Sequence, residues 1–469
     1  MERIRSLGQR KQSYEALDND SGFGDSESRP LTLNAEDEDE DGHDVHPDDE
    51  EEVENVAAFS WIIYAVFFLL GMAMLWAWNM FLAAGPYFQK RFKTNDWILR
   101  NFQPTELTTS TIVNLGSILV LTKLQAKASY SKRIIVALVI NIVSFTLLAM
   151  STKLFTRVSA GVYFGFLIIQ VLLASGATGT LQNGIFAYVS GFGREEYTQG
   201  IMTGQAVAGV LPAIVQIMSV LSAPPANARL DVPTESSTSA MAYFLTATGI
   251  SALTLVAFLY LSSIHRGSQH HKHSLDEITD GNGNILQSEE RESVPLLTLF
   301  RKTFWLATSV FLTFAVTMVY PVFTQEIESV RTQDKAPQLF KPASFIPLGF
   351  LFWNSGDLIG RLLTAIPSLR ITQKPRLVLA LALARFVFIP LYLLCNINGR
   401  GAKINSDFFY LFIVQLGFGI SNGFLGSTCM MGAIEYVDVE EREAAGGFMG
   451  LCLVSGLTVG SLLSFTVAG

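Results

Sequence analysis

Histidine is absent from every apolar stretch of this 469-residue chain, cysteine is rare, and charge is scarce outside one tail. All six histidines, His43, His46, His265, His270, His271 and His273, lie in polar segments. The last four share one solvated loop, and no carboxylate or cysteine spacing completes a metal site there. Cys395, Cys429 and Cys452 fall in apolar runs. They form no CxxC pair or disulfide framework and read as small core or lipid-facing residues. There is no Walker loop, no GxGxxG entering a helix and no Ser-His-Asp set, so an enzyme has no residues behind it and no cofactor is implied. The net basic patches that nucleic acid demands are also missing.

Charged residues make up only 16% of the sequence, and 49% is hydrophobic; soluble domains carry about 25% charged residues. Residues 1–54 hold 19 of the 41 acidic residues and 5 of the 33 Lys/Arg, so this stretch stands at −14 and the rest at +6. The acidic pI therefore describes a tail. Residues 1–58 are read as a disordered acidic cytosolic segment, because like charges repel and bury no apolar area. It has no apolar core of the kind a cleavable signal peptide needs.

Apolar runs of about 20 residues recur, each long enough to cross a hydrocarbon core about 30 Å thick. They fall near 59–83, 104–124, 133–152, 161–190, 200–222, 240–263, 303–324, 344–366, 376–395, 408–430 and 444–467. None alternates as a barrel strand would, so the expectation is an all-α polytopic membrane protein with about eleven spans. A polar segment, 264–301, splits them six and five. Two packed bundles follow, 59–263 and 302–467, as in transporters that rock about a midplane site. Lys/Arg are nearly balanced between the two sets of loops, so orientation is weakly coded. The acidic tail favours a cytosolic N-terminus. Small residues recur at four-residue spacing, as at Gly200 and Gly204, and let membrane helices approach closely.

Ionisable groups deep in membrane helices are costly and mark function by default. Asp357 and Arg361 in FWNSGDLIGRLLTA are four apart on one helical face, with Asn354 on the same side. This set of acceptors, donors and an amide suits a vicinal diol such as that of ribose; a structural ion pair between bundles fits equally well. Arg385 is a second buried cation, read more as a partner for a neighbouring carboxylate or carbonyl than as a transport residue. Glu106, Glu326 and Glu435 are expected near helix ends, which leaves Asp357 as the one deep carboxylate and points to downhill, pH-insensitive transport. Gln182 and Asn183 carry amides that match a nucleobase edge or bond between helices. Trp76 and Trp78, beside Asn79, offer an aromatic plate for a base or belong to an interfacial belt.

These segments, in this order, resemble the equilibrative nucleoside transporter family from about residue 60 to 467. Ala77-Trp78-Asn79 is similar to the family's Pro-Trp-Asn, without its proline. The fifth run, IMTGQAVAG, resembles the small-residue-rich fifth helix. Asp357, Gly360 and Arg361 resemble the Asp-x-x-Gly-Arg signature, and LALARFVFIPLYLLCNI, ISNGFLGSTCMMG and EREAAGGFMG also look like family segments. The resemblance implies an eleven-helix bundle distantly akin to the major facilitator fold, facilitative transport by alternating access, and nucleosides as substrates, with nucleobases left open. It implies that Asp357 and Arg361 contact the ribose with Asn354 nearby, that Gln182 bonds the base, and that Trp78 and Leu82 line the first-helix wall. Asn79, Gly204 and Arg385 take structural or gating roles. Two alternatives stand beside it: a major-facilitator-type carrier of another small polar solute, and a non-transporting membrane sensor or scaffold.

Glu292-x-x-x-Leu296-Leu297 fits the acidic dileucine pattern read by sorting adaptors, in the loop expected on the cytosolic side. It points to a vacuolar or lysosomal membrane ahead of the plasma membrane. The other reading is that Leu296-Leu297 simply begin the next helix.

Overall fold

Hydrocarbon offers a backbone no hydrogen bonds, so a spanning segment must satisfy its own, and a helix does this within one segment. The computed structural model describes residues 58–125, 128–222, 237–279, 294–332 and 336–467. In chain order it holds α1 (Trp61–Ala83), α2 (Gly85–Phe92), α3 (Asp96–Lys123), α4 (Tyr130–Leu154), α5 (Ala160–Ser190), α6 (Glu195–Ser222) and α7 (Ser237–Thr279). There follow α8 (Leu296–Thr317), α9 (Tyr320–Glu326), α10 (Pro342–Leu363), α11 (Pro375–Ala384) and α12 (Phe388–Tyr392). A π-helical stretch over Phe409–Leu416 leads into α13 (Gly417–Gly432), and α14 is Arg442–Val467. Among the described residues the only extended pairing is an isolated antiparallel bridge, Ile327 with Ile397. The fold is all-α. Among the described residues, nine helical segments are long and apolar enough to cross a membrane by length and composition. Helices α3 and α10 are not in that set, although both fall on expected spans.

Three expectations change. The segment 264–301 is not a loop throughout, since α7 continues to Thr279. No proline lies between Ser237 and Thr279, and a helix once nucleated propagates through polar residues. Next, α3 begins at Asp96 because Asn95 caps it, its side chain accepting from Trp97 N and Ile98 N at 3.1 Å each. Glu106 is therefore well inside a helix and buried, with Oε1 unpartnered, rather than at a helix end. Asp357 is not the only deep carboxylate. Finally, the ninth run is broken: Pro390 crowds the carbonyl four residues back, and Arg385–Val387 form a 3₁₀ turn between α11 and α12.

Residues Val56–Gly469 make one compact unit. In the first half α1 packs on α6 and α7, α3 on α5, and α4 on α5 and α7. In the second, α10 packs on α13, and α8 on α11, α13 and α14. Contacts of α6 with α10 and α13, and of α14 with α3 and α5, join the halves. Close approach dictates glycine at several helix crossings, two of which bear on the site. A Cβ on Gly204 would lie 2.0 Å from Phe68 O of α1, and one on Gly423 would lie 1.9 Å from Asp357 O of α10. No other residue fits either crossing.

Candidate functional site

The seam between α6 and α10 carries the densest buried chemistry. Spacing by four along α10 stacks Arg361 over Asp357, and Arg361 Nε donates to Asp357 Oδ2 at 2.8 Å. The other carboxylate oxygen, Oδ1, accepts from Asn422 Nδ2 of α13 at 2.6 Å. Arg361 then reaches across the seam. Its Nη1 donates to Met202 O at 2.7 Å and to Gln205 Oε1 at 3.0 Å, both on α6. The pair is buried, with Asp357 at 3% and Arg361 at 4% exposure. An ion pair this dry persists only when its remaining donors and acceptors are met. Here they are met with one exception: Nη2 of Arg361 donates to no group among the described residues.

The network runs on in both directions. Asn422 Oδ1 accepts from Thr317 Oγ1 at 2.6 Å, and Thr317 Oγ1 accepts from Arg385 Nη2 at 3.0 Å. Arg385 also donates to Thr313 O and to Ser421 Oγ, and its guanidinium lies 4.7 Å from the Phe418 ring centroid. It thus binds a carbonyl and two hydroxyls of α8 and α13, as a structural tie would. On the α6 side, Gln199 Nε2 donates to Arg361 O at 3.4 Å and its Oε1 accepts from Tyr64 Oη at 2.7 Å.

The other expected residues are placed as follows. Asn354 bonds its own helix at Phe350 O, and its Oδ1 packs on Gly209 of α6. Asn79 Nδ2 donates to Ala208 O at 2.8 Å, tying α1 to α6. Trp78 is half-buried with its ring 6.3 Å from Phe81, while Leu82 is exposed at 57%. Trp76 turns aside to Thr246. Gln182 is buried, and its amide has no protein partner among the described residues. Asn183 is engaged by Arg133 and Thr122, a bond between helices. No hydrogen bond or ring contact among the described residues joins Trp78, Leu82 or Gln182 to the Asp357–Arg361 pair. Leu296 and Leu297 form the first turn of α8, with Leu296 packed on the core; Glu292 lies outside the described residues.

Gln199, Met202, Gln205 and Asn422 complete the site and were not singled out from the sequence. The signal was present: positions 199, 202, 205 and 209 form a helical stripe on α6, all of it facing α10.

A family model for nucleoside transporters matches residues 167–468. The chain is 32% identical over 448 residues to the nucleoside transporter FUN26 of Saccharomyces cerevisiae, covering 86% of this chain and 83% of that one. It belongs to the nucleoside transporter family. Human equilibrative nucleoside transporter 1 is 28% identical over 459 residues, covering 86% and 96% of the two chains. Human equilibrative nucleoside transporter 2 is 27% identical, covering 85% and 95%. Among solved structures, the major facilitator proton:xylose symporter XylE matches at a TM-score of 0.56 with 11% identity, covering 87% of each chain. The human organic anion transporter MFSD10 matches at 0.52 with 13% identity, covering 87% and 94%. This member of the nucleoside transporter family thus has the fold of major facilitator carriers. Family and fold are those of transporters, not enzymes.

Proposed function

We propose that this protein carries nucleosides down their gradient across a membrane by alternating access between two helix bundles, 59–263 and 302–467. The reading takes α3 and α10 as crossings beside the nine apolar ones, about eleven in all, with the N-terminus cytosolic. One observation carries it: Arg361 is oriented by Asp357 at the seam between the halves, and its Nη2 meets no group among the described residues. A planar nitrogen with two hydrogens in a dry site suits adjacent sugar hydroxyls. Asn354 flanks this end. Trp78, Leu82 and the amide of Gln182, which has no partner among the described residues, form the base side in this reading, and a base without ribose can use that side alone. Gly204, Asn79 and Arg385 hold the frame. A vacuolar or lysosomal membrane is proposed from Glu292-x-x-x-Leu296-Leu297, with a sorting adaptor as partner.

The test is uptake of labelled uridine and of 2′,3′-dideoxyuridine into liposomes holding purified protein, wild type beside Arg361→Lys. Lysine keeps the charge and loses the fork. Uridine KM is expected to rise about tenfold, the worth of one hydrogen bond to a charged group, while the dideoxy analogue, already slow, changes little. Equal losses for both substrates would show that Arg361 holds the bundle and not the sugar.

A further inference from the structure

Gln205 is fixed to its surroundings at both ends, and the two ends differ greatly in strength. Its Oε1 accepts from Arg361 Nη1 at 3.0 Å across the seam, while its Nε2 faces Met74 Sδ of α1 at 3.0 Å. The first is a hydrogen bond to a charged group; a thioether is a weak acceptor. The residue is buried, at 5% exposure. Of the groups on α6 that meet Nη1, the Met202 carbonyl belongs to the helix backbone and moves only with it, and the Met202 thioether, 3.7 Å away, is a weak acceptor. The Gln205 amide can rotate away on its own, losing only a thioether contact behind it.

We propose that Gln205 is the positioning residue that latches the empty carrier. While no sugar is bound, its amide oxygen helps hold Arg361 of α10 against α6, and so holds the two halves together at this seam. Hydroxyls arriving at Nη2 pull the guanidinium toward themselves, turn it about its Asp357 anchor and draw Nη1 off Gln205. The loaded carrier then lacks one bond that restrains the empty one, and it reorients faster. The proposal rests on the reading of Arg361 as the sugar-binding group. It makes Gln205 the link between occupancy and motion, a role different from that of the base-side amide Gln182.

A merely structural glutamine would change yield or stability and leave untouched the ratio of exchange to net flux. The experiment therefore measures uridine uptake into liposomes with and without uridine on the far side, for wild type, Gln205→Leu and Gln205→Glu. Wild type is expected to show exchange faster than net uptake. In Gln205→Leu the ratio falls toward one, because the empty carrier speeds up by roughly tenfold or more, the range of one hydrogen bond to a charged group. In Gln205→Glu a charged acceptor tightens the latch, net uptake slows more than exchange, and the ratio rises. Should the leucine variant fail to fold, the glutamate variant alone decides by the sign of its change. A wild-type ratio of one, or a ratio unmoved in the variants that still carry uridine, overturns the proposal while leaving the site reading intact. Wild-type protein that carries no uridine removes both.

Discussion

At Asp357 the two carboxylate oxygens have separate tasks, and each can be tested alone. Oδ2 orients Arg361, whereas Oδ1 is held by Asn422 on α13. Replacing Asn422 with leucine leaves Oδ1 without its partner in a dry interior, whereas Thr317 Oγ1 keeps Thr313 O and Arg385. A buried acceptor so stripped costs about 1–3 kcal/mol. Asn422→Leu is therefore expected to lower the melting temperature in detergent and to raise uridine KM, since an untethered carboxylate no longer fixes the fork. A lowered melting temperature with unchanged KM would confine Asn422 to packing. The contrast is Glu106, whose Oε1 has no partner to lose. Glu106→Gln keeps the shape, and its melting temperature is expected to match or exceed that of the wild type. The Asp357–Arg361 pair was legible in the sequence because both partners sit on one helix, four residues apart. Gln205 and Asn422 were not, because their partners lie on other helices and spacing along one chain says nothing of what faces it.

The elements follow the same division. Hydropathy reads the interior of a membrane helix well and its ends poorly, because ends are set by caps and breakers. Asn95 caps α3 from outside the apolar run, so the apolar count alone puts that helix's start near 104 and Glu106 near its end. Pro390 stood in view, and the 3₁₀ turn it forces presents Arg385 to α8 and α13. The crossing of α10 and α13 was only half visible. Glycine spacing marks close approach at Gly200 and Gly204 of α6, but the glycines of α10 and α13 and the partner of each helix come from tertiary structure. Gly423→Ala puts a methyl where the Asp357 carbonyl stands, and Gly204→Ala does the same at Phe68 O. Overpacking of this kind costs typically 1–3 kcal/mol or more. Both are expected to melt lower than wild type by scanning fluorimetry, whereas Gly249→Ala, with nothing within 4 Å of its added carbon, is expected to hold or gain. If Gly249→Ala melts as low as the other two, close approach is not what selects glycine here.

For the whole molecule, alternating access requires contacts between the halves that can be broken at modest cost. The end at which α6 begins supplies them. Glu195 at the start of α6 pairs with Arg370, which lies between α10 and α11, and Gly191 packs beside Glu443 of α14. Within the second half, Lys302 bonds Asp438 and Glu441 at 2.6 Å each and holds the Asp438 carboxyl below its usual range. A carboxyl lowered in this way stabilises the fold above its unfolded pKa and stops doing so as pH falls through the folded value. That clasp is therefore intact at neutral pH, and a change there is not its doing. The Glu195–Arg370 pair is partly exposed, and such pairs are worth about 0.2–1 kcal/mol. That is weak enough to open in each cycle and shifts a two-state balance by only a fewfold. Glu195→Arg is thus expected to favour opening at this end. Ser190 packs beneath Gly446 of α14, buried in the closed arrangement, so Ser190→Cys reports on it. Labelling of that thiol by a polar maleimide should quicken about two- to fivefold in Glu195→Arg, on the worth of an exposed pair. Adding Arg370→Glu restores the pair with its charges exchanged and should return the rate to that of Ser190→Cys alone. A rate unchanged in Glu195→Arg would mean that the backbone packing of α14 on α5, and not this ion pair, keeps the end closed.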